Sequence, residues 1–276
     1  MIKAQIYDVF CDELAQGNPC GVVELNHWLS DSELLQITHQ VAQPVTSFVV
    51  KSGSDYHIRW FTLAGEINLC GHGSLGAGAA LISKYHQNEV ILQSSHGYIT
   101  VSELDGMYRI VMPSWQAKPH AIPLGISGFS NRPIDAFTTR DLVVVLESED
   151  DVVCYQPNFD ELIKIDEFHA VIVTAQSSDS GYVLRYFAPK IGISEDLATG
   201  SAQCSLAPYW FEKLGKEKLT ARQLSRSGGY FEVARGSEST IVLSAQVKKS
   251  DLNINASSSY TSSRGIHFFI DLKVPS

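Results

Sequence analysis

The chain has 276 residues, 44% of them hydrophobic and 18% charged, with a formal net charge of −9. This composition describes a globular protein with ample core, in one large or two modest domains, and excludes a disordered chain. The acidic balance, which no basic stretch offsets, excludes nonspecific nucleic-acid binding. No uncharged apolar run reaches the ~18 residues of a membrane span, and the N-terminus lacks the apolar core of a signal peptide. Five scattered cysteines, Cys11, Cys20, Cys70, Cys154 and Cys204, show neither metal-type spacing nor a disulfide framework. The expectation is a reduced cytoplasmic protein with no metal and no membrane or nucleic-acid partner.

In chain order, the first strand is expected over Ala4–Val9. Ser30 and Glu33 form a capping box that opens a helix across about Asp31–Ala42. β-Branched and aromatic runs then predict strands at Thr46–Val50, Tyr56–Phe61, Glu89–Gln93, Tyr98–Glu103 and Tyr108–Met112. Pro113, Pro119, Pro123, Gly125, Gly128 and Pro133 break both periodicities and mark a linker. Further strands are expected near Ile134–Thr138, Leu142–Leu146, Ala170–Thr174, Val183–Phe187, Tyr230–Val233 and His267–Leu272. Two segments, Gly73–Ser83 and Gly200–Phe211, carry no charge. As helices they have no polar face and should be buried all round.

The same blocks occur twice in the same order. Arg59-Trp-Phe-Thr, a loop and Cys70-Gly-His-Gly-Ser74 correspond to Arg185-Tyr-Phe-Ala, a loop and Asp196-Leu-Ala-Thr-Gly-Ser201. Asp31-Ser-Glu-Leu-Leu corresponds to Phe159-Asp-Glu-Leu-Ile, and Ser94-Ser-His-Gly-Tyr to Ser225-Arg-Ser-Gly-Gly-Tyr. Two long copies predict a duplicated domain rather than a solenoid. The halves are placed at 1–116, joined by a C-terminal strand at 266–276, and at 130–265.

Each uncharged helix begins at a Gly-rich loop. First-turn amides have no partner within the helix and carry partial positive charge, which suits a carboxylate or enolate oxygen. If the halves face each other, both N-termini can point into one cleft, with His72 and Asp196 as candidate acid and base. The alternative is simple capping by Ser74, Thr199 and Ser201. Gly71-His-Gly-Ser-Leu-Gly76 also satisfies the dinucleotide pattern G-x-G-x-x-G, so a nucleotide-dependent oxidoreductase is a competing reading. The acid expected at the end of the following strand is missing.

These residues resemble the PhzF-like isomerase family of phenazine biosynthesis, within the wider diaminopimelate-epimerase-like fold. The resemblance rests on Tyr7-Asp-Val-Phe with Gly17-Asn-Pro-Cys-Gly-Val-Val23, on Arg59-Trp-Phe-Thr with Cys70-Gly-His-Gly, and on Asp196-Leu-Ala-Thr-Gly-Ser-Ala202. It implies two similar α/β (α+β) domains, each a curled mixed sheet or barrel around a central helix, with the active site between them. It implies cofactor-independent proton transfer on a small carboxylate or amino-acid-like substrate by a homodimer. By resemblance, His72 and Asp196 line the site as its catalytic residues, while the Gly73 backbone and the Ser201 hydroxyl contact the substrate; Ser74, Thr199 and Gly200, in the same loops, are further candidate substrate-binding residues.

One departure is serious. Val45 stands where the family carries its proton-transferring glutamate, and valine cannot carry a proton. A binding protein that kept the site and lost the chemistry is therefore a second reading. Cys70 resembles the first thiol of the related two-cysteine racemases, but Leu197 and Ala198 stand where a second would be. Cys70 is thus left between a structural and a catalytic role. Glu66 and Glu195 are weaker candidates in the loops before the two helices.

Overall fold

A computed structural model describes residues 2–179, 181–237 and 239–256, apart from the side chain of Asn253. The expected strand at His267–Leu272, and with it the joining segment 266–276, lies outside the described residues. The chain forms two compact units. The first holds residues 2–9, 18–110 and 246–256; the second holds 10–17 and 111–245. Among the described residues, no helix is long and apolar enough to cross a membrane.

In the first unit, β1 (Ile2–Cys11) pairs antiparallel with β2 (Asn18–Leu25). Helix α1 (Asp31–Val41) crosses to β3 (Val45–Ser52), which lies parallel to β2. A parallel pair needs such a crossover. Strand β4 (Asp55–Thr62) runs antiparallel to β3 and carries the short β5 (Gly65–Ile67). Helix α2 (Gly71–Tyr85) then crosses to β6 (Glu89–Ser94), parallel to β4, and β7 (Gly97–Leu104) and β8 (Met107–Pro113) follow antiparallel. The last strand, β16 (Thr240–Ala256), neighbours β8 and also pairs with β1, which closes the sheet into a barrel.

The second unit repeats this series of pairings. A two-residue β9 (Lys118–Pro119) lies beside β10 (Asp135–Thr138), which is antiparallel to β11 (Leu142–Val145). Two short helices, α3 (Glu149–Cys154) and α4 (Phe159–Leu162), lead to β12 (Val171–Gln176), parallel to β11. Strand β13 (Tyr182–Phe187) follows antiparallel. Helix α5 (Gln203–Leu214), entered through a 3-10 turn at Gly200–Ala202, leads to β14 (Lys218–Gln223), parallel to β13. Strands β15 (Gly229–Arg235) and β16 complete the path antiparallel. The fold class is therefore mixed α+β with a barrel-closing sheet.

Alternation along β3 explains how one strand serves two layers. Phe48 packs in the core that α1 fills with Leu34, Ile37 and Val41. Ser47, on the opposite face, donates from Oγ to the Gly73 carbonyl of α2 at 2.9 Å. Helix α2 is buried continuously from Gly73 to Ile82, as its lack of charge requires. In α5, Pro208 cannot donate to the Cys204 carbonyl. The Trp115 amide donates there instead, at 2.8 Å, so the interior proline leaves that acceptor satisfied.

Two sequence expectations change here. The Pro- and Gly-rich stretch expected as a linker is packed: Ile126 is buried in the core of the second unit, with Ile122 and Phe129 against it. Strands β2, β5, β9, β14 and β16 were not anticipated. β2 opens on Asn18-Pro-Cys-Gly, residues that disfavour strands, and β14 is largely polar.

The capping box at Ser30 forms as expected. The Ser30 hydroxyl accepts from the Glu33 amide, and the Glu33 carboxylate accepts from the Ser30 amide at 2.9 Å. Ser30→Ala should destabilise the protein by about 1 kcal/mol. In urea titration the midpoint should fall with no change in the slope of unfolding free energy against denaturant.

Candidate active site

The loop leading to α2 is fixed by an arginine fork. Arg59, on β4, donates from Nε and Nη2 to the two Glu66 oxygens at 2.7 and 2.5 Å, and from Nη2 to Asp31 at 2.7 Å. The loop leading to the 3-10 turn of the second unit is held in the same way. Arg185, on β13, donates to the two Glu195 oxygens at 2.8 and 3.0 Å, and from Nη1 to the Tyr155 carbonyl at 2.9 Å. Phe61 and Phe187, two residues beyond each arginine, lie 5.1 and 4.9 Å from the guanidinium. Glu66 and Glu195, weak candidates from sequence, are thus engaged as clamps, and bidentate geometry suits that work.

At the start of α2 the cap is the Cys70 thiol rather than Ser74. Cys70 Sγ accepts from the Gly73 amide at 3.4 Å and lies 3.4 Å from His72 Nδ1. Ser74 is fully buried, and its hydroxyl donates to the Cys70 carbonyl at 2.7 Å. Gly73 is required sterically: a Cβ there would lie 2.8 Å from Ser47 Oγ and 2.9 Å from Trp60 Cδ1. Gly76 packs against the Cys20 thiol. Close packing therefore accounts for these glycines without a nucleotide.

His72 Nε2 and Trp60 Nε1 are both buried without a hydrogen-bond partner among the described residues. Burial lowers the His72 pKa to about 4, so the imidazole is neutral at neutral pH. If Nδ1 accepts from the Cys70 thiol, Nε2 carries the proton and is a donor; the opposite tautomer makes Nε2 an acceptor. Cys20, in register with Val45, has its thiol pKa pushed well up by burial. Val45 itself is 1% exposed, two residues before Ser47 and so on the same strand face.

In the second unit, Asp196 is half-buried. Its Oδ1 accepts from the Leu197 amide at 2.8 Å and its Oδ2 from the Thr199 hydroxyl at 2.6 Å. Thr199 is therefore a donor to Asp196, and among the described residues no side chain caps the turn at Gly200–Ala202. Gly200 is pressed against Phe10, whose ring carbon would lie 2.8 Å from an added Cβ. Ser201 Oγ accepts from Arg140 Nη2 at 3.3 Å. Cys204 packs inside, its pKa pushed up to about 12 by burial.

Sequence reasoning missed three residues around this loop. Gln223, buried at the end of β14, accepts from the Thr199 amide at 2.8 Å and donates to the Asp196 carbonyl at 2.7 Å. Arg140 and Tyr186 meet the buried Asp141 carboxylate. Tyr186 follows Arg185 in the repeated motif, which was a usable signal; Gln223 lay in an unrecognised strand.

Similar proteins agree with this architecture. An uncharacterized isomerase of Vibrio cholerae is 62% identical over 249 residues, covering 90% of this chain and 89% of the relative. A crystal structure of a PhzF-family phenazine biosynthesis protein of Enterococcus faecalis superposes with a TM-score of 0.84 at 30% identity, covering 90% and 96% of the two chains. A putative phenazine biosynthesis PhzC/PhzF protein of Clostridium difficile gives 0.83 at 33% identity, covering 90% and 97%. The fold likeness extends to a predicted epimerase of Pseudomonas aeruginosa, with a TM-score of 0.68 at 20% identity. Fold and relatives together define an isomerase of epimerase-like architecture, its reaction unspecified. The family model for phenazine biosynthesis-like proteins, PhzC-PhzF, matches residues 7–258, and the chain belongs to that family.

The His72 shift has a pH consequence of definite sign. The folded-state pKa is depressed to about 4 from an ordinary value near 6.5. Between those values the unfolded chain binds a proton that the folded chain does not. Stability is therefore lost as pH falls from about 6.5 to about 4, by up to about 3 kcal/mol, and is unaffected by this group above that window. His72→Gln should lose less stability than wild type between pH 7.5 and pH 5 in parallel urea titrations. Equal losses would show that His72 does not titrate this way.

Proposed function

We propose that this protein is a cofactor-independent isomerase that moves a proton on a small carboxylate-bearing metabolite. The observation that carries the reading is His72: a neutral imidazole at the opening of a helix, with a buried Nε2 that has no partner among the described residues. Buried polar groups are normally satisfied, and this one is available to a developing oxyanion or a transferred proton, as neutral imidazoles elsewhere polarise carbonyl groups. Asp196 is the proposed base. Hydrogen bonds from the Leu197 amide and the Thr199 hydroxyl orient its carboxylate, a group able to accept a substrate proton. The amides of the turn at Gly200–Ala202, which no side chain caps among the described residues, favour a carboxylate or enolate oxygen. The repeated strand pairings and the matching Arg59–Glu66 and Arg185–Glu195 forks support descent of the two units from one duplicated domain.

Val45 favours a second reading, a small-molecule binding protein, because a buried valine stands at the position of the family's glutamate. Deuterium incorporation from D₂O into a pool of small amino and carboxylic acids, read by mass spectrometry, separates the two. The isomerase reading expects exchange into a defined compound, lost in Asp196→Asn and reduced in His72→Gln. Undiminished exchange in Asp196→Asn removes Asp196 from the mechanism. Cys70→Ser in the same assay reports whether the thiol at 3.4 Å from His72 takes part. Thermal stabilisation by a compound that never exchanges would favour the binding protein.

A further inference from the structure

Arg140 lies in the turn between β10 and β11, and its guanidinium is held from several directions. Nε and Nη2 donate to the Asp141 oxygens at 3.2 and 3.0 Å, and Asp141 is fully buried. Nη2 also donates to the Tyr186 hydroxyl at 3.2 Å and to Ser201 Oγ at 3.3 Å. The Trp115 ring lies 5.0 Å from the guanidinium carbon. The adjacent Thr139 shares a 2.7 Å hydrogen bond with Ser205. The turn is thus docked along the helix, on positions 201 and 205, which are four residues apart and face the same way.

Neutralising a buried aspartate needs only a cation nearby, and two features go beyond that. The Arg140 side chain remains 39% exposed, and Nη1, with two N–H donors, makes no hydrogen bond among the described residues. The Ser201 hydroxyl accepts from Arg140, which leaves its own proton available to donate, and no protein acceptor for it is found among the described residues. Nη1 shares a carbon with Nη2, which itself reaches Ser201. Donors from both side chains therefore converge within the span of one carboxylate.

We propose that Arg140 and Ser201 form the carboxylate-recognition edge of the second unit. One substrate oxygen accepts from the Ser201 hydroxyl and the other from Arg140 Nη1, while Asp141 and Tyr186 hold the guanidinium in place. Because Asp141 offsets the charge of Arg140, recognition is by directed hydrogen bonds rather than by net attraction. This rests on the reading above that the substrate bears a carboxylate. Lysine cannot replace arginine here, since an ammonium offers no planar fork that meets Asp141 and a ligand together.

The test uses malonate as the carboxylate probe and malonamide as its neutral counterpart, on the full chain, by calorimetric titration and thermal shift. Wild type should bind malonate and ignore malonamide. Arg140→Lys and Ser201→Ala should each bind malonate at least about tenfold more weakly. Melting in buffer alone reports any purely structural cost separately from the malonate response. If Arg140→Lys binds malonate as wild type does while Ser201→Ala does not, the role of Arg140 is overturned and the carboxylate reading stands. If wild type itself ignores malonate, both are overturned.

Discussion

A helix with no polar face has to be surrounded, and the fold follows from that constraint. Helix α2 has no charged residue from Gly71 to Ser83, and its glycines and alanines let strands approach on every side. Burial on this scale leaves the first turn as the part of the helix where backbone polar groups are exposed for other use. The loop that delivers the chain to that turn must then be held still. In both units an arginine does this from the middle of a strand, with a bidentate grip on a glutamate in the loop and a phenylalanine beneath the guanidinium. The fork is rigid and always charged, so it fixes direction as well as distance.

The features that sequence made legible are those with a local physical signature. The capping box at Ser30 and Glu33, the uncharged helices and the Arg-aromatic-Phe strands each encode their structure within a few residues. The Asp196 loop is just as local, with Thr199 and Leu197 meeting the carboxylate from nearby in the chain, although helix capping was the role expected of Thr199. What escaped depends on partners distant in sequence. Gln223 reaches Thr199 across 24 residues, and Arg140 reaches Ser201 across 61. Strand β2 carries Pro19 and Gly21, and only pairing on both sides makes it a strand. Capping was expected of serine and threonine because those side chains usually do it; the thiol of Cys70 took the place because Ser74 points back along the helix to the Cys70 carbonyl.

The two loops differ in how they handle charge. At the first, the Arg59–Glu66 pair stays charged and partly exposed in the loop, but beside the helix start burial drives titratable groups toward neutrality: the Cys20 thiol is pushed up, and the His72 imidazole is pushed down. A valine at position 45 is consistent with that setting. An ionised glutamate on this strand face would need hydrogen bonds to offset its desolvation, and the cross-strand neighbour in register is an apolar-like, protonated thiol. At the second loop, charged groups persist because each is given a partner. Asp141 stays buried only with Arg140 against it, and Arg140 keeps one edge open.

That contrast bears on what Val45 means. A valine on β3 cannot carry a proton, and it presents a buried apolar side chain on the strand face from which Ser47 meets α2. The Cys70–His72 contact, the Cys70 cap on α2 and the Arg59–Glu66 fork are all in place beside it.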